Sequence, residues 1–176
     1  PAGNAVLNVG AAQLVEEITM DQNPNWSTDG LWSWGQPIGG GGQYGNPDPT
    51  SGATGNNVMG YNLNGDYESN LSEKHLVAGP YNLSGNQNTQ LQFSRYLNVE
   101  QPMYDHATIS VKSGNDSWQT VWTNPSEITD DQWQAVSYDI STVADNSPEL
   151  WVRWTMGSTD SAWQYSGWNI DDVYIS

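Results

Sequence analysis

The chain reads as a series of short runs with a period of two. Leu91, Phe93 and Leu97 alternate with Gln92, Ser94 and Asn98, and Leu150, Val152, Trp154 and Met156 fill every second place of a later run. Successive side chains of a strand point to opposite faces, so each run predicts a strand with one face in a core and one face outside it. Apolar, β-branched or aromatic runs bounded by Gly, Pro, Asn, Asp and Ser predict strands at Gln13–Met20, Leu31–Gly35, Val58–Asn62, His75–Val77 with Tyr81–Leu83, Leu91–Val99, His106–Lys112, Trp118–Trp122, Gln134–Ile140, Glu149–Met156 and Trp168–Ile175. No helical period interrupts them. The reading is all-β, with two packed antiparallel sheets. The turn formers Ser113-Gly114-Asn115-Asp116-Ser117 predict a hairpin joining His106–Lys112 to Trp118–Trp122. Residues 1–10 show little periodicity and read as a linker or lead-in strand, and 11–176 reads as a single domain.

Gln36 to Gly60 breaks the pattern. Gly39 to Gly42, Tyr44, Asn46-Pro47-Asp48-Pro49 and Ser51-Gly52 succeed one another without regular structure, over a length that a passive connection does not need. Such loops commonly carry function. The four glycines do not make a phosphate cradle, because no helix pattern and no Lys or Ser/Thr follows as that chemistry requires.

Charge removes whole classes of partner. Among 176 residues, 20 Asp and Glu face 4 Lys and Arg, a formal net charge of −16. A field of that sign repels nucleic acid and anionic membrane surfaces. The absence of cysteine excludes disulfides, thiolate metal sites and thiol catalysis. No apolar stretch is long enough to span a bilayer, so the segment is expected to be soluble, with any secretion signal already removed. Ten Trp and nine Tyr against one Phe add a further bias, since Trp and Tyr carry a polar handle that suits half-wet surfaces such as sugar-stacking platforms.

The acids are clustered. Asp171-Asp172 lies within the terminal strand pattern, where Asp has poor β-propensity and strict alternation turns one of the pair inward. A buried carboxylate costs several kcal/mol unless it is paired or holds a metal. Lys74, Arg95, Lys112 and Arg153 are too few to serve every acidic cluster. Oxygen-only ligands in Gly/Asn/Asp-rich loops favour Ca²⁺ over Mg²⁺. No EF-hand or nonapeptide repeat is present, so such a site is assembled from distant segments. Whether a second ion sits around Asp66, Glu68 and Asp105 is left open by the sequence.

Gly167-Trp168-Asn169-Ile170-Asp171-Asp172-Val173 resembles the closing strand of bacterial MAM-like jelly rolls, a group that includes cleaved-adhesin domains and the C-terminal modules of secreted peptidases. Three further segments resemble the same family in the same order: Pro47–Gly52 with Gly55 and Gly60-Tyr61, Leu91–Glu100, and Tyr104–Val111. Together they span most of Val15 to Ser176. The resemblance implies a two-sheet antiparallel jelly-roll sandwich with a structural Ca²⁺ where the first and last strands meet. Carried over by position, its ligands are Glu17 (with Glu16 as the alternative in register), Asp48, and Asp171 or Asp172. The family's aromatic before the glutamate is replaced here by Val15, and its cysteines are absent.

Catalysis finds little footing. His75 and His106 have no H-E-x-x-H, G-x-S-x-G or cysteine partner motif. A carboxylate-pair glycosidase or a polysaccharide lyase remains as one alternative reading. The leading one is a non-catalytic accessory module, stabilised by calcium, that binds polysaccharide through exposed rings. Trp163 and Tyr165, in the loop before the last strand, are the first candidates, with Tyr104 and Trp122 behind them. Trp34, Trp151, Trp154 and Trp168 are assigned to the core. Neutral glycans fit the charge better than acidic ones. A protein-interaction, adhesin or spacer role beside a peptidase is the other alternative. Composition and resemblance together imply a monomeric module outside a bacterial cell, attached to a parent catalytic or surface domain.

Overall fold

A computed structural model describes residues 13–176, so the expectations for residues 1–10 fall outside it. The strands are β1 (Glu16–Ile18), β2 (Ser27–Thr28), β3 (Trp32–Gly35), β4 (Val58–Tyr61), β5 (Lys74–Tyr81), β6 (Gln90–Val99), β7 (Ala107–Ser113), β8 (Gln119–Thr123), β9 (Ile128–Thr129), β10 (Gln134–Asp139), β11 (Leu150–Met156) and β12 (Gly167–Ile175). One short helix, α1 (Ser141–Ala144), precedes β11. No helix among the described residues is long and apolar enough to cross a membrane. The strands form the two antiparallel layers expected. One sheet runs β10-β6-β12-β4-β3, with β1 added to β12 and β9 to β6; the other runs β2-β5-β11-β7-β8.

The core lies between the sheets and follows the alternation. Leu91, Phe93 and Leu97 meet Leu150, Val152, Trp154 and Met156 there, with Trp168, Ile170, Val173 and Ile175 of the last strand. Phe93 sets its edge on Trp154 at 5.6 Å, and the Trp168 indole donates to the Thr155 carbonyl at 3.0 Å. Trp34 packs half-buried on this core. Trp151 does not belong to it. Its ring stands on the outer face of the five-stranded sheet, 5.9 Å from the Lys112 ammonium, because Val152 and Trp154 already take the inward positions of β11.

The structure adds β2, β9 and α1 to the strands expected, and departs from the sequence reading most at the first strand, at β5 and within β12. The first strand shrinks to Glu16–Ile18, which pairs with Ile175 to Val173. The two pieces expected around Gly79-Pro80 are one strand, β5, because the register of β11 shifts between Leu150 and Val152 there. That irregularity lets Pro80, which has no N–H to give, pass through a ladder. In β12 the register shifts between Asp171 and Tyr174, and Asp172 takes φ +48. A bulge therefore resets the alternation. Ile170 and Val173 both face the core while Asn169 and Asp171 lie on the opposite face, beneath the 36–57 loop.

Candidate functional site

Glu100 to His106 carries the chain from β6 in one sheet to β7 in the other. The Tyr104 and Asp105 amides both donate to the Gln101 carbonyl, at 2.9 and 3.1 Å, which closes a tight turn. One buried side chain holds that turn to the body of the sandwich. The Asn124 amide group donates to the Glu100 and Asp105 carbonyls at 3.0 and 3.1 Å, and its oxygen accepts from the Ala107 N–H at 3.0 Å. Opposite lies the 157–166 connection into β12. Its Asp160 N–H donates to Asp105 Oδ1 at 2.8 Å, while the Tyr67 hydroxyl donates to Asp105 Oδ2 at 2.5 Å. The carboxylate oxygens of Glu100, Asp105 and Asp160 come within 4.8 Å of one another. Glu100 is only 4% exposed, and its Oε2 has no hydrogen-bond partner. Burial, reinforced by Asp105, Asp160 and Glu127, pushes the Glu100 carboxyl up to about 7. Burial raises Asp105 as well, against the lowering effect of its bonds from Tyr67 and the Asp160 amide.

Beside this cluster is a cavity of about 320 Å³ lined by Glu100, Gln101, Tyr104, Asp160, Ala162 and Trp163. Trp163 is 50% exposed and Tyr104 43%. The Trp163 ring lies on Tyr44 of the long loop, with centroids 5.3 Å apart and planes 14° from parallel. Tyr44 contacts Tyr165 at 6.0 Å, and Tyr165 stacks on Tyr67 at 6.4 Å, so the rings run from surface to core. Trp163 has φ +56, a conformation that costs a bulky residue roughly 1–3 kcal/mol and persists only when its surroundings enforce it. The stack on Tyr44 is one such restraint.

Two of the four rings assigned to ligand, Trp163 and Tyr104, thus meet at one cavity. Tyr165 does not offer a free face. It is 2% exposed, covered by Tyr44 and Tyr67, with its hydroxyl donating to Glu127 at 2.6 Å. Trp122 is half-buried against Trp168 at 5.7 Å, and Arg95 lies 6.0 Å from its ring centre. Its place is in the packing at the sandwich edge.

The acids assigned to a cation have separate surroundings. Asp171 accepts from the Thr54 N–H at 3.0 Å and the Asp172 N–H at 2.8 Å, one donor on each oxygen, and Asp172 accepts from the Thr54 hydroxyl at 2.7 Å. The bulge and the long loop together give this buried pair its donors. Burial still pushes Asp171 up to about 6. Asp48, a residue of that loop, is buried against the closing strand, accepting from Asn169 at 2.7 Å on Oδ1, with nothing on Oδ2. Burial raises it to about 8, opposed by the Asn169 bond and assisted by Asp66. Glu17 is exposed on β1 opposite Tyr174 and lines one cavity with Asp21, while Asp172 lines another with Tyr174. Among the described residues, only Glu100, Asp105 and Asp160 supply three acidic or histidine ligand atoms within 4.8 Å.

The few cations are spent elsewhere. Arg95 makes a two-pronged bond to Asp130 at 2.9 and 3.1 Å. Arg153 lies over the Trp118 ring at 4.4 Å, and Lys112 over the same ring at 5.2 Å. Asp66 and Glu68, considered with Asp105 for a second ion, are also engaged. Asp66 takes the Gly42 N–H at 2.7 Å, and Glu68 takes the Tyr61 hydroxyl at 2.9 Å. His75 bonds Thr155 at 3.0 Å with its pKa lowered by burial and then by Arg153; His106 lies 3.0 Å from the Ser158 carbonyl. Sequence reasoning missed Asp160, Tyr44, Tyr67 and Asn124 as parts of the site. A local signal existed only for Glu100 and Asp105, two acids flanking Pro102 between apolar strands.

No family model matches the sequence. Bacillopeptidase F of Bacillus subtilis (strain 168) is 28% identical over 150 residues, which cover 85% of this chain and 9% of that protein. Among solved structures, the CBM22-1–GH10 modules of the Clostridium thermocellum xylanase Xyn10B, complexed with xylohexaose, superpose with a TM-score of 0.57 at 16% identity, over 94% of this chain and 29% of that one. The K3 cleaved adhesin domain of Lys-gingipain from Porphyromonas gingivalis w83 gives 0.51 at 14% identity, over 93% of this chain and 97% of that one. The C-terminal CBM6 of LamC from Zobellia galactanivorans gives 0.51 at 11%, over 92% and 98%. These similarities establish the jelly-roll fold.

Proposed function

We propose that this chain is a non-catalytic, polysaccharide-binding accessory module of a larger extracellular bacterial protein. Its ligand is a neutral glycan held at the cavity between Tyr104 and Trp163. The observation that carries this reading is Trp163 itself, a half-exposed indole kept at positive φ and stacked on Tyr44. Sugar C–H faces pack on such rings, and Gln101, Glu100 and Asp160 beside them supply groups for hydroxyls. Carboxylates in the wall disfavour uronates. Similarity in fold to a xylanase module solved with xylohexaose supports this by analogy. The MAM-like resemblance belongs to the same reading. So does a structural Ca²⁺ among Glu17, Asp48, Asp171 and Asp172, anchored on the bare buried oxygen of Asp48; Glu17 and Asp172 line different cavities and both oxygens of Asp171 carry donors, so binding it requires these acids to move together. The module is read as a monomer.

A second reading, a protein-contact or spacer domain beside a peptidase, draws on the likeness to Bacillopeptidase F and to the K3 domain. Affinity electrophoresis through gels containing soluble xylan, β-glucan or galactan separates the two. Trp163→Gly is the informative variant, since glycine accepts the native φ and the change removes the ring without strain. The expected result is retardation of the wild type by at least one glycan, lost in Trp163→Gly and kept in Trp118→Ala. Mobility unaffected by every glycan favours the protein-contact reading, and release of reducing ends or unsaturated uronates contradicts the non-catalytic assignment.

A further inference from the structure

Glu100 and Asp171 show two fates of a buried carboxylate in one molecule. Asp171 carries a backbone N–H on each oxygen. Glu100, 4% exposed, has one oxygen with no partner at all. The charges that act on it, those of Asp105, Asp160 and Glu127, are all negative. Three carboxylates within 4.8 Å cannot all stay ionised without compensation. No lysine or arginine supplies it, since Arg95 is paired with Asp130 and Lys112 and Arg153 lie over Trp118, while Lys74 runs beside Gly30.

We infer that Glu100, Asp105 and Asp160 form a calcium site, separate from the one proposed where the first and last strands meet. The unpartnered Glu100 oxygen is the feature that points to a ligand, because it is buried among oxygens that only a cation or a proton can satisfy. The donors are all hard oxygens, and the adjoining cavity has room for water to complete a shell, which suits Ca²⁺ with its high and flexible coordination number. The turn is already braced for the purpose: Asn124 fixes the backbone of Glu100 and Asp105, and Tyr67 and the Asp160 amide fix the Asp105 carboxylate. Glu100 and Asp160 also line the proposed glycan cavity, so the metal alone, without sugar, is the probe that keeps the two readings distinguishable.

The test is Tb³⁺ luminescence on chelator-treated protein, excited through the aromatic rings, with Tyr67 bonded to Asp105 and Tyr104 and Trp163 at the cavity. The expected result is saturable emission displaced by Ca²⁺, with a Ca²⁺ dissociation constant on the order of 0.1–1 mM, the range of extracellular modules. Glu100→Gln and Asp160→Asn are expected to weaken binding by at least about tenfold, an effect that even outer partners of a metal produce. Asp116→Asn, at an exposed acid of the turn after β7, is expected to leave this emission intact, and near-UV circular dichroism verifies that each variant is folded. Wild type without saturable emission, or emission unchanged in both Glu100→Gln and Asp160→Asn, overturns the site and leaves the cluster neutralised by protons.

Discussion

A carboxylate removed from water needs a donor on each oxygen or a cation, and Asp48 has a donor on one oxygen only. Its carboxyl is raised from 3.8 to about 8, so between these values the folded protein holds a proton that the unfolded chain has released. The stability this group contributes is complete below pH 3.8 and is lost as pH rises through about 8. Asp48→Asn keeps the acceptor for Asn169 and cannot ionise. In chelator its melting temperature is expected to match that of the wild type near pH 4 and to exceed it progressively towards pH 8, by the equivalent of about 1–3 kcal/mol. With Ca²⁺ at pH 8 the order reverses, because only the wild type keeps the proposed ligand. A variant that gains as much from Ca²⁺ as the wild type removes Asp48 from the ion's shell.

At the scale of elements, alternation in β6 and β11 made the core legible from sequence, since Leu91, Phe93 and Leu97 of the one and Leu150, Val152, Trp154 and Met156 of the other all enter the same core. The same rule misjudged β12, where the bulge at Asp172 moves both acids off the core face. Nothing in the local sequence announces which strand will be covered by a loop, and the 36–57 loop supplies that cover. It reaches Asn98 through the Asn46 N–H at 2.8 Å and the closing strand through Thr54. For the same reason the site was half legible. Trp163 and Tyr104 stood out as rings in loops, whereas Tyr44, Asp160 and Asn124 join them only through tertiary contact. Gly45 lies tight against this stack: its φ is +66, and a Cβ there would lie 2.7 Å from both Asn98 Oδ1 and the Tyr165 ring. Gly45→Ala is expected to cost about 1–3 kcal/mol in urea unfolding and to weaken glycan retention by displacing Tyr44. An alanine variant as stable as the wild type contradicts this packing.

Seen whole, the molecule is a sandwich of formal charge −16 in which two aromatic surfaces differ in their local charge. The outer face of the five-stranded sheet gathers Trp118 and Trp151 with Lys112 and Arg153, whereas the cavity between the β6–β7 turn and the 157–166 connection sets Trp163 and Tyr104 beside acids. Under the proposed function the glycan binds at the cavity and the cationic face takes no part. The direct measurement is a ¹H–¹⁵N correlation spectrum, in which the ten tryptophan indoles report separately during titration with neutral xylo-, cello- and galacto-oligosaccharides. The predicted result is a saturable shift of the Trp163 indole, with the Tyr104 and Ala162 amides following it and Trp118 and Trp151 unmoved. Shifts centred on Trp118 and Trp151, or an unchanged spectrum with every sugar, would contradict it.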